Sequence, residues 1–349
     1  MVVRGAGSVV FDRYLDLVSL MDKKSILVAR AIFPEVLARL QQYFEVEPNQ
    51  DDILWTKAQL LAKLQGKAGV FTTGGERIDA ALLAACPLLK VCANMAVGYN
   101  NFDLPAMTAA GVLGTNAPDV LTETTADMAF TLLMATARRV SESEAFLRSG
   151  QWKGMRYDLF LGPDVHGSTL GILGMGRIGQ AIAKRGALGF GMPVIYHNRS
   201  KLDTSIEQGL NARYVTKQDL FKQADHIVLV VPYSAESHHT VAEQELALMK
   251  PTATLINIGR GGLIDEDALA ATLAVGKIAG AGLDVFEGEP RINPALLALK
   301  NVVLTPHIGS ASKATRMAMA NLAADNLIAY LIGNTAKTPL NPEVIRPSA

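Results

Sequence analysis

The chain has 349 residues, and its 33 Lys+Arg balance 33 Asp+Glu. A hydrophobic share of 49% against 19% charged residues suits packed cores in about two domains and excludes a disordered chain. The zero net charge excludes a general nucleic-acid binder, which would carry a basic excess.

Residues 1–21 read as an N-terminal extension outside the fold. Arg13 and Asp16 interrupt the apolar core a signal peptide needs, and Met21 opens a stretch that leads straight into a strand. From there short apolar runs alternate with helical stretches. Strands are predicted at 26–29, 44–47, 69–72, 90–94 and 112–115, with helices at 34–43 and 57–64 among them. Continuous Val/Ile/Leu runs alternating with helices imply a parallel sheet covered on both faces. Cys86 and Cys92 lie in apolar stretches and read as small core residues, not as a disulfide or metal pair.

A long helix follows over 123–139, with Thr122 or Thr124 as its cap. Gly150, Gly154, Gly162 and Pro163 then mark a loop. A second alternation has strands at 169–174, 193–197, 212–215, 227–231, 254–258, 280–285 and 302–305. A helix over 314–332 closes the pattern, and Pro339 and Pro342 end it. No run reaches the roughly 18 uncharged residues of a membrane span, so a cytoplasmic protein without a membrane partner is expected. The class is α/β, in two similar halves.

The clearest motif is Gly174-Met175-Gly176-Arg177-Ile178-Gly179. It follows a predicted strand and precedes a helical pattern over 180–188, the setting a dinucleotide-binding turn requires. Gly174 allows the tight turn, Gly176 lets the backbone approach a pyrophosphate, and Gly179 lets helix and strand pack closely. The helix N-terminus offers its N–H groups to the phosphates. About 20 residues on, an acidic residue would grip a ribose 2′-hydroxyl. His197, Asn198 and Arg199 stand there instead. A guanidinium binds a 2′-phosphate that a carboxylate would repel, so NADPH is predicted over NADH, with NADH still usable.

Three reactive side chains follow successive strands: Arg260 between glycines, Glu289 before a proline, and His307 after Thr305-Pro306. Ligands of open α/β sheets bind beyond the carboxyl ends of the strands, so these three can converge. Reduction of a 2-oxo acid needs a proton donor and a carboxylate anchor. His307 suits the first, held charged by a carboxylate. Arg260 suits the second. Glu287 and Asp284 compete with Glu289 for the carboxylate role.

The runs at 174–179, 257–262, 283–290 and 305–310 resemble the D-isomer-specific 2-hydroxyacid dehydrogenases, most of all their glyoxylate/hydroxypyruvate reductase branch, which also reduces 2-ketogluconate. The resemblance spans about residues 22–345. It implies two Rossmann- or flavodoxin-like domains with a cleft between them: a discontinuous substrate domain over 22–120 and 311–349, and a dinucleotide-binding domain over 121–310. It implies catalytic roles for Arg260, Glu289 and His307. Val97, Gly98, Arg260 and Ser310 would bind the substrate. Thr125, Gly174, Gly176, Arg177, Ile178, Gly179, Asn198, Arg199, Ser200, Val231, Pro232, Asp284 and His307 would line the cofactor. No metal is implied. Similar enzymes are homodimers joined through the cofactor domain, and the apolar helix 123–139 suits that as well as burial within one subunit. The loop at 152–160 suits either a pocket lining or a plain surface. The expected activity is NADPH-dependent reduction of glyoxylate, hydroxypyruvate or 2-ketogluconate. The alternatives are an NAD-linked dehydrogenase of the phosphoglycerate, formate or D-lactate type and a non-catalytic dinucleotide sensor of the corepressor kind.

Overall fold

The computed structural model describes residues 23–345, so the extension expected over 1–21 lies outside the described residues. The chain divides into two compact units. One runs to Leu121 and resumes at Lys313; the other is Thr122–Ser312. The boundaries lie one or two residues beyond those expected, because Leu121 is the last residue before a helix and Ser312 the last before another.

The first unit holds five parallel strands: β1 (Ser25–Val28), β2 (Glu45–Glu47), β3 (Gly69–Thr72), β4 (Val91–Asn94) and β5 (Leu113–Thr115), in the order β2-β1-β3-β4-β5. Its helices are α1 (Pro34–Tyr43), α2 (Lys57–Leu64), α3 (Ala80–Ala85) and α4 (Leu104–Ala109). β3 and β4 are buried at every residue, while edge strand β2 is not. That difference explains the unbroken apolar runs of the central strands. Thr56 starts α2 with a reciprocal capping box to Gln59, and Asp79 and Asp103 cap α3 and α4.

The second unit holds seven parallel strands: β6 (Leu170–Leu173), β7 (Val194–His197), β8 (Ala212–Tyr214), β9 (His226–Leu229), β10 (Thr254–Asn257), β11 (Gly280–Leu283) and β12 (Val302–Leu304). Their order is β12-β11-β10-β9-β6-β7-β8. β6 pairs with β7 on one side and β9 on the other, which makes it the switch point where an open α/β sheet binds its ligand.

The helix expected over 123–139 is two helices, α5 (Thr122–Ala137) and α6 (Val140–Arg148). Arg139 breaks them with a left-handed φ of 52°. Its guanidinium bonds Glu142 and the Leu161 carbonyl. Thr122 is the first residue of α5. Ala126, Ala129, Leu132 and Leu133 bury its apolar side within the unit, so that side is core. Beyond β6, α7 (Arg177–Lys184) gives way to a π-turn at Arg185–Gly189 where a continuous helix to 188 was expected. A β-carbon at Gly186 would lie 2.6 Å from Leu170, so this backbone hugs the sheet. α8 (Thr204–Gly209), α9 (Lys217–Gln223), α10 (Glu243–Leu248), α11 (Glu266–Ala274) and α12 (Pro294–Leu297) complete the unit. The chain then enters α13 (Lys313–Gly333), whose Ala320, Ala323, Ala324, Leu327 and Leu331 pack into the core of the first unit.

Candidate active site

The glycine turn closes the switch point by three different means. Gly174 has φ 106°, a conformation that suits glycine. A β-carbon there would lie 2.8 Å from Val230 and Val231. A β-carbon at Gly179 would lie 2.2 Å from the Gly174 carbonyl oxygen, so only glycine lets α7 approach the strand. At Gly176 a β-carbon would meet nothing within 4 Å. That open space at the head of α7 is the room a pyrophosphate needs beside the N–H groups of a helix N-terminus. Arg177, exposed, and Ile178, half-buried, begin the helix.

The Asn198 carboxamide oxygen accepts a 2.6 Å hydrogen bond from Met175 N–H. Its side chain thus braces the glycine turn from the end of β7, a role the motif alone did not reveal. Arg199 and Ser200 are exposed beside it. Two tyrosines hold this segment. Tyr214 donates to the Asn198 carbonyl at 3.2 Å. The buried Tyr196 hydroxyl accepts from Leu202 N–H at 2.8 Å and donates to Glu207 at 2.9 Å. Asn198, Arg199 and Ser200 follow β7, with no acid among them, and the residues present fit a nicotinamide dinucleotide. Val231 packs on Gly174, and Pro232 is exposed just after it.

Arg260, Glu289 and His307 follow β10, β11 and β12. His307 Nδ1 lies 2.8 Å from Glu289 Oε2, and Glu289 Oε1 accepts from Phe286 N–H at 2.9 Å. Burial opposes the charge on Glu289, but the His307 hydrogen bond, the Phe286 N–H and the positive charges of His307 and Arg260 outweigh it and hold the carboxyl below its usual range. Burial pulls the Arg260 guanidinium down, partly offset by Glu289, yet an arginine keeps its proton. Arg260 also donates to the Gly259 carbonyl at 2.7 Å. Glu287 is not the partner of His307. It pairs with His239 at 2.8 Å.

Gly261 welds the Arg260 and Glu289 segments together. A β-carbon on it would sit 1.8 Å from the Phe286 carbonyl carbon. Asp284 fixes the His307 segment. Its carboxylate, in a residue only 1% exposed, accepts from Thr305 Oγ1 at 2.6 Å, Ile308 N–H at 2.8 Å and Gly309 N–H at 2.7 Å. His307 N–H bonds the Asp284 carbonyl at 2.9 Å, and His307 takes a left-handed φ of 52°. Asp284 thus grips the backbone of the His307 loop, while the carboxylate on the His307 ring is that of Glu289. The buried Thr125 lies alongside, its Cγ2 3.6 Å from where a Gly309 β-carbon would be. Ser310 is half-buried one residue on.

In the first unit, the turn at Val97 and Gly98 is held by its carbonyls. Asn94 donates to the Gly98 carbonyl at 2.9 Å, Asn116 to that of Val97 at 2.8 Å, and Ala117 N–H to that of Ala96 at 2.9 Å. Asn94 is wholly buried and is itself fixed by Thr72. The turn is rigid, and both residues are half-buried.

A glycine-rich switch point followed by an Arg, a Glu–His pair and a buried Asp on successive strands defines a dinucleotide-dependent oxidoreductase. Residues 130–309 match the model of the D-isomer specific 2-hydroxyacid dehydrogenase, NAD binding domain, and the chain belongs to that family. It is 48% identical to a glyoxylate reductase of Thermococcus onnurineus, over 93% of this chain and 97% of that one. It is 43% identical to a glyoxylate/hydroxypyruvate reductase B of Klebsiella pneumoniae, over 92% and 99%. Among solved structures it resembles an NADPH-dependent glyoxylate/hydroxypyruvate reductase of Sinorhizobium meliloti in complex with NADP and malonate. There the TM-score is 0.83 at 38% identity, covering 94% of this chain and 99% of that one.

Proposed function

We propose that the protein reduces glyoxylate and hydroxypyruvate to 2-hydroxy acids, with NADPH preferred over NADH. The observation that carries this reading is the His307–Glu289 pair at 2.8 Å, one strand from Arg260, in the unit that also holds the glycine turn. When bound, the nicotinamide cofactor would supply the hydride. His307 gives a proton to the carbonyl oxygen, and Glu289 orients the ring and favours its charged form. Arg260 binds the carboxylate and polarises the carbonyl. Ser310 adds a hydroxyl for the carboxylate, and in the first unit the Val97 and Gly98 N–H groups would bind a carboxylate. Thr125 and Asp284 would hold the nicotinamide side of the cofactor, and Val231 and Pro232 the adenine side. The exposed Arg199, with Asn198 and Ser200, takes the 2′-phosphate, which supports the preference for NADPH. 2-Ketogluconate is a further substrate in this reading.

We infer a homodimer as well. Beyond α6, Met155 and Tyr157 are 94% and 95% exposed, with Trp152 and Leu161 also uncovered. Such apolar surface suits a partner subunit. Among the described residues no helix is long and apolar enough to cross a membrane, and Cys86 and Cys92 are both free and buried. Both features support a cytoplasmic enzyme. The test is a panel of 2-oxo acids scored by kcat/KM with each cofactor. Oxidation of NADPH by glyoxylate and hydroxypyruvate is expected. No turnover with any 2-oxo acid would overturn the reading.

A further inference from the structure

Two loops of the second unit bring His238, His239 and Glu287 together in a group that shares no residue with Arg260, Glu289 and His307. His239 Nε2 lies 2.8 Å from Glu287 Oε2, and His238 Nδ1 lies 3.9 Å from Glu287 Oε1. One donor atom from each residue falls within 4.8 Å of the others. The two imidazoles stack at 3.8 Å between centroids and 23° between planes. In a tetrahedral Zn²⁺ site with bonds of about 2.0–2.2 Å, donors stand roughly 3.3 Å apart, and the observed spacings bracket that value.

The backbone that carries these side chains is pinned. His239 N–H bonds the Gly262 carbonyl at 2.8 Å, and Val241 N–H bonds that of Leu263 at 3.0 Å. Glu287 N–H bonds Glu266 at 2.7 Å. Gly261 presses on the Phe286–Glu287 peptide. The side chains that would close on an ion are exposed at His238 and Glu287 and half-buried at His239. The charge around them favours a cation: His239 and Glu287 line a cavity with Asp265, Glu266 and Asp267, against the single cation Arg291.

We propose that His238, His239 and Glu287 form an open site for a divalent transition-metal ion of the Zn²⁺ class, with water completing the shell. Two imidazoles and one carboxylate suit a borderline-soft ion. The ion would replace the proton shared by His239 and Glu287. It would also tie the segment after Pro232 to the segment before Glu289. Its function would be to brace these loops or to restrain them, with no part in hydride transfer.

The test uses the full chain, stripped with a chelator and dialysed against Zn²⁺ alone. Wild type is compared with His239→Gln, Glu287→Gln and, as a control, His307→Gln. One Zn²⁺ per chain is expected, bound at least tenfold more weakly by His239→Gln and Glu287→Gln and unaltered in His307→Gln. Co²⁺ in place of Zn²⁺ should give tetrahedral visible absorption bands that both site variants lose. Circular dichroism confirms that each variant is folded, and His238→Gln replaces either one that is not. No saturable uptake by wild type, or uptake unchanged in the site variants, overturns the proposal. Loss only in His307→Gln would place the ion on the His307–Glu289 pair and overturn it too.

Discussion

The α-carbon of Gly261 faces the peptide between Phe286 and Glu287 so closely that a β-carbon would fall 1.8 Å from the Phe286 carbonyl carbon. This contact sets the distance between the Arg260 and Glu289 segments. Gly261→Ala must push the peptide that follows β11. Overpacking of this kind costs about 1–3 kcal/mol, so a lower melting temperature and a lower kcat are expected together. Gly176→Ala is the counter-experiment. Its backbone φ is −75° and the space is open, so stability should hold while dinucleotide affinity falls. Paired thermal melts and cofactor titrations check both outcomes.

Removal of the proposed proton donor should act on turnover. His307→Ala is expected to lower kcat by about 10²–10⁴-fold while cofactor affinity stays near wild type. Arg260→Lys should raise the KM for the 2-oxo acid and lower kcat, because an ammonium lacks the planar two-point grip. Steady-state kinetics with glyoxylate, alongside fluorescence titration of NADPH, separate the two effects. Wild-type kcat in His307→Ala would remove that residue from the reaction.

Arg199→Ala tests the proposed contact to the 2′-phosphate. The side chain is exposed at the end of β7, so its loss should leave the fold intact. A hydrogen bond to a charged group is worth about 1.5–3 kcal/mol, which corresponds to roughly ten- to a hundredfold in kcat/KM for NADPH. The value for NADH should change little. An equal loss with both cofactors would show that Arg199 does not read the 2′-phosphate.

His226 gives a pH dependence of stability. It is wholly buried, its Nδ1 2.8 Å from Thr254 Oγ1 and its Nε2 3.3 Å from the Asp164 carbonyl. Burial outweighs the Asp164 carbonyl and Asp225, which favour the charged ring, and depresses its pKa below 6.5. The unfolded chain therefore takes up a proton first as pH falls. The contribution is fully present above about pH 6.5 and is lost as pH drops from there towards the depressed value. Urea midpoints at pH 8, 6.5 and 5 should decline for wild type. They should decline less steeply for His226→Asn, which is expected to be less stable at pH 8.

Much of this molecule is legible in the sequence where local pattern and tertiary role coincide. β3 begins and ends where its apolar run does, because all four of its residues are buried. α1 and α2 likewise match their predicted spans. Most other strands stop a residue or two short of the apolar run, since the last apolar residues turn into the loops. Two features were hidden because distant contacts create them. Arg139, with no glycine to announce it, breaks α5 from α6 through bonds to Glu142 and Leu161. The π-turn after α7 depends on Gly186 against Leu170 and on Arg185 paired with Asp127 and Glu123. The Arg–Glu–His group could be read from its motifs. The brace from Asn198 to Met175 and the grip of Asp284 on Thr305, Ile308 and Gly309 could not, because a polar residue at a strand end does not declare whether it faces a ligand or its own backbone.

The grip of Asp284 also has a consequence for order in time. Asp284 follows β11, and its three donors lie beyond β12, where Thr305 N–H still bonds the Leu283 carbonyl. Opening the His307 loop therefore means breaking the three bonds to the Asp284 carboxylate together with the bond from His307 N–H to the Asp284 carbonyl. Deuterium uptake at the Ile308 and Gly309 amides should be as slow as within β11, although Ile308 is 36% exposed. A surface loop with core-like exchange would mean that His307 is held in place before any substrate arrives.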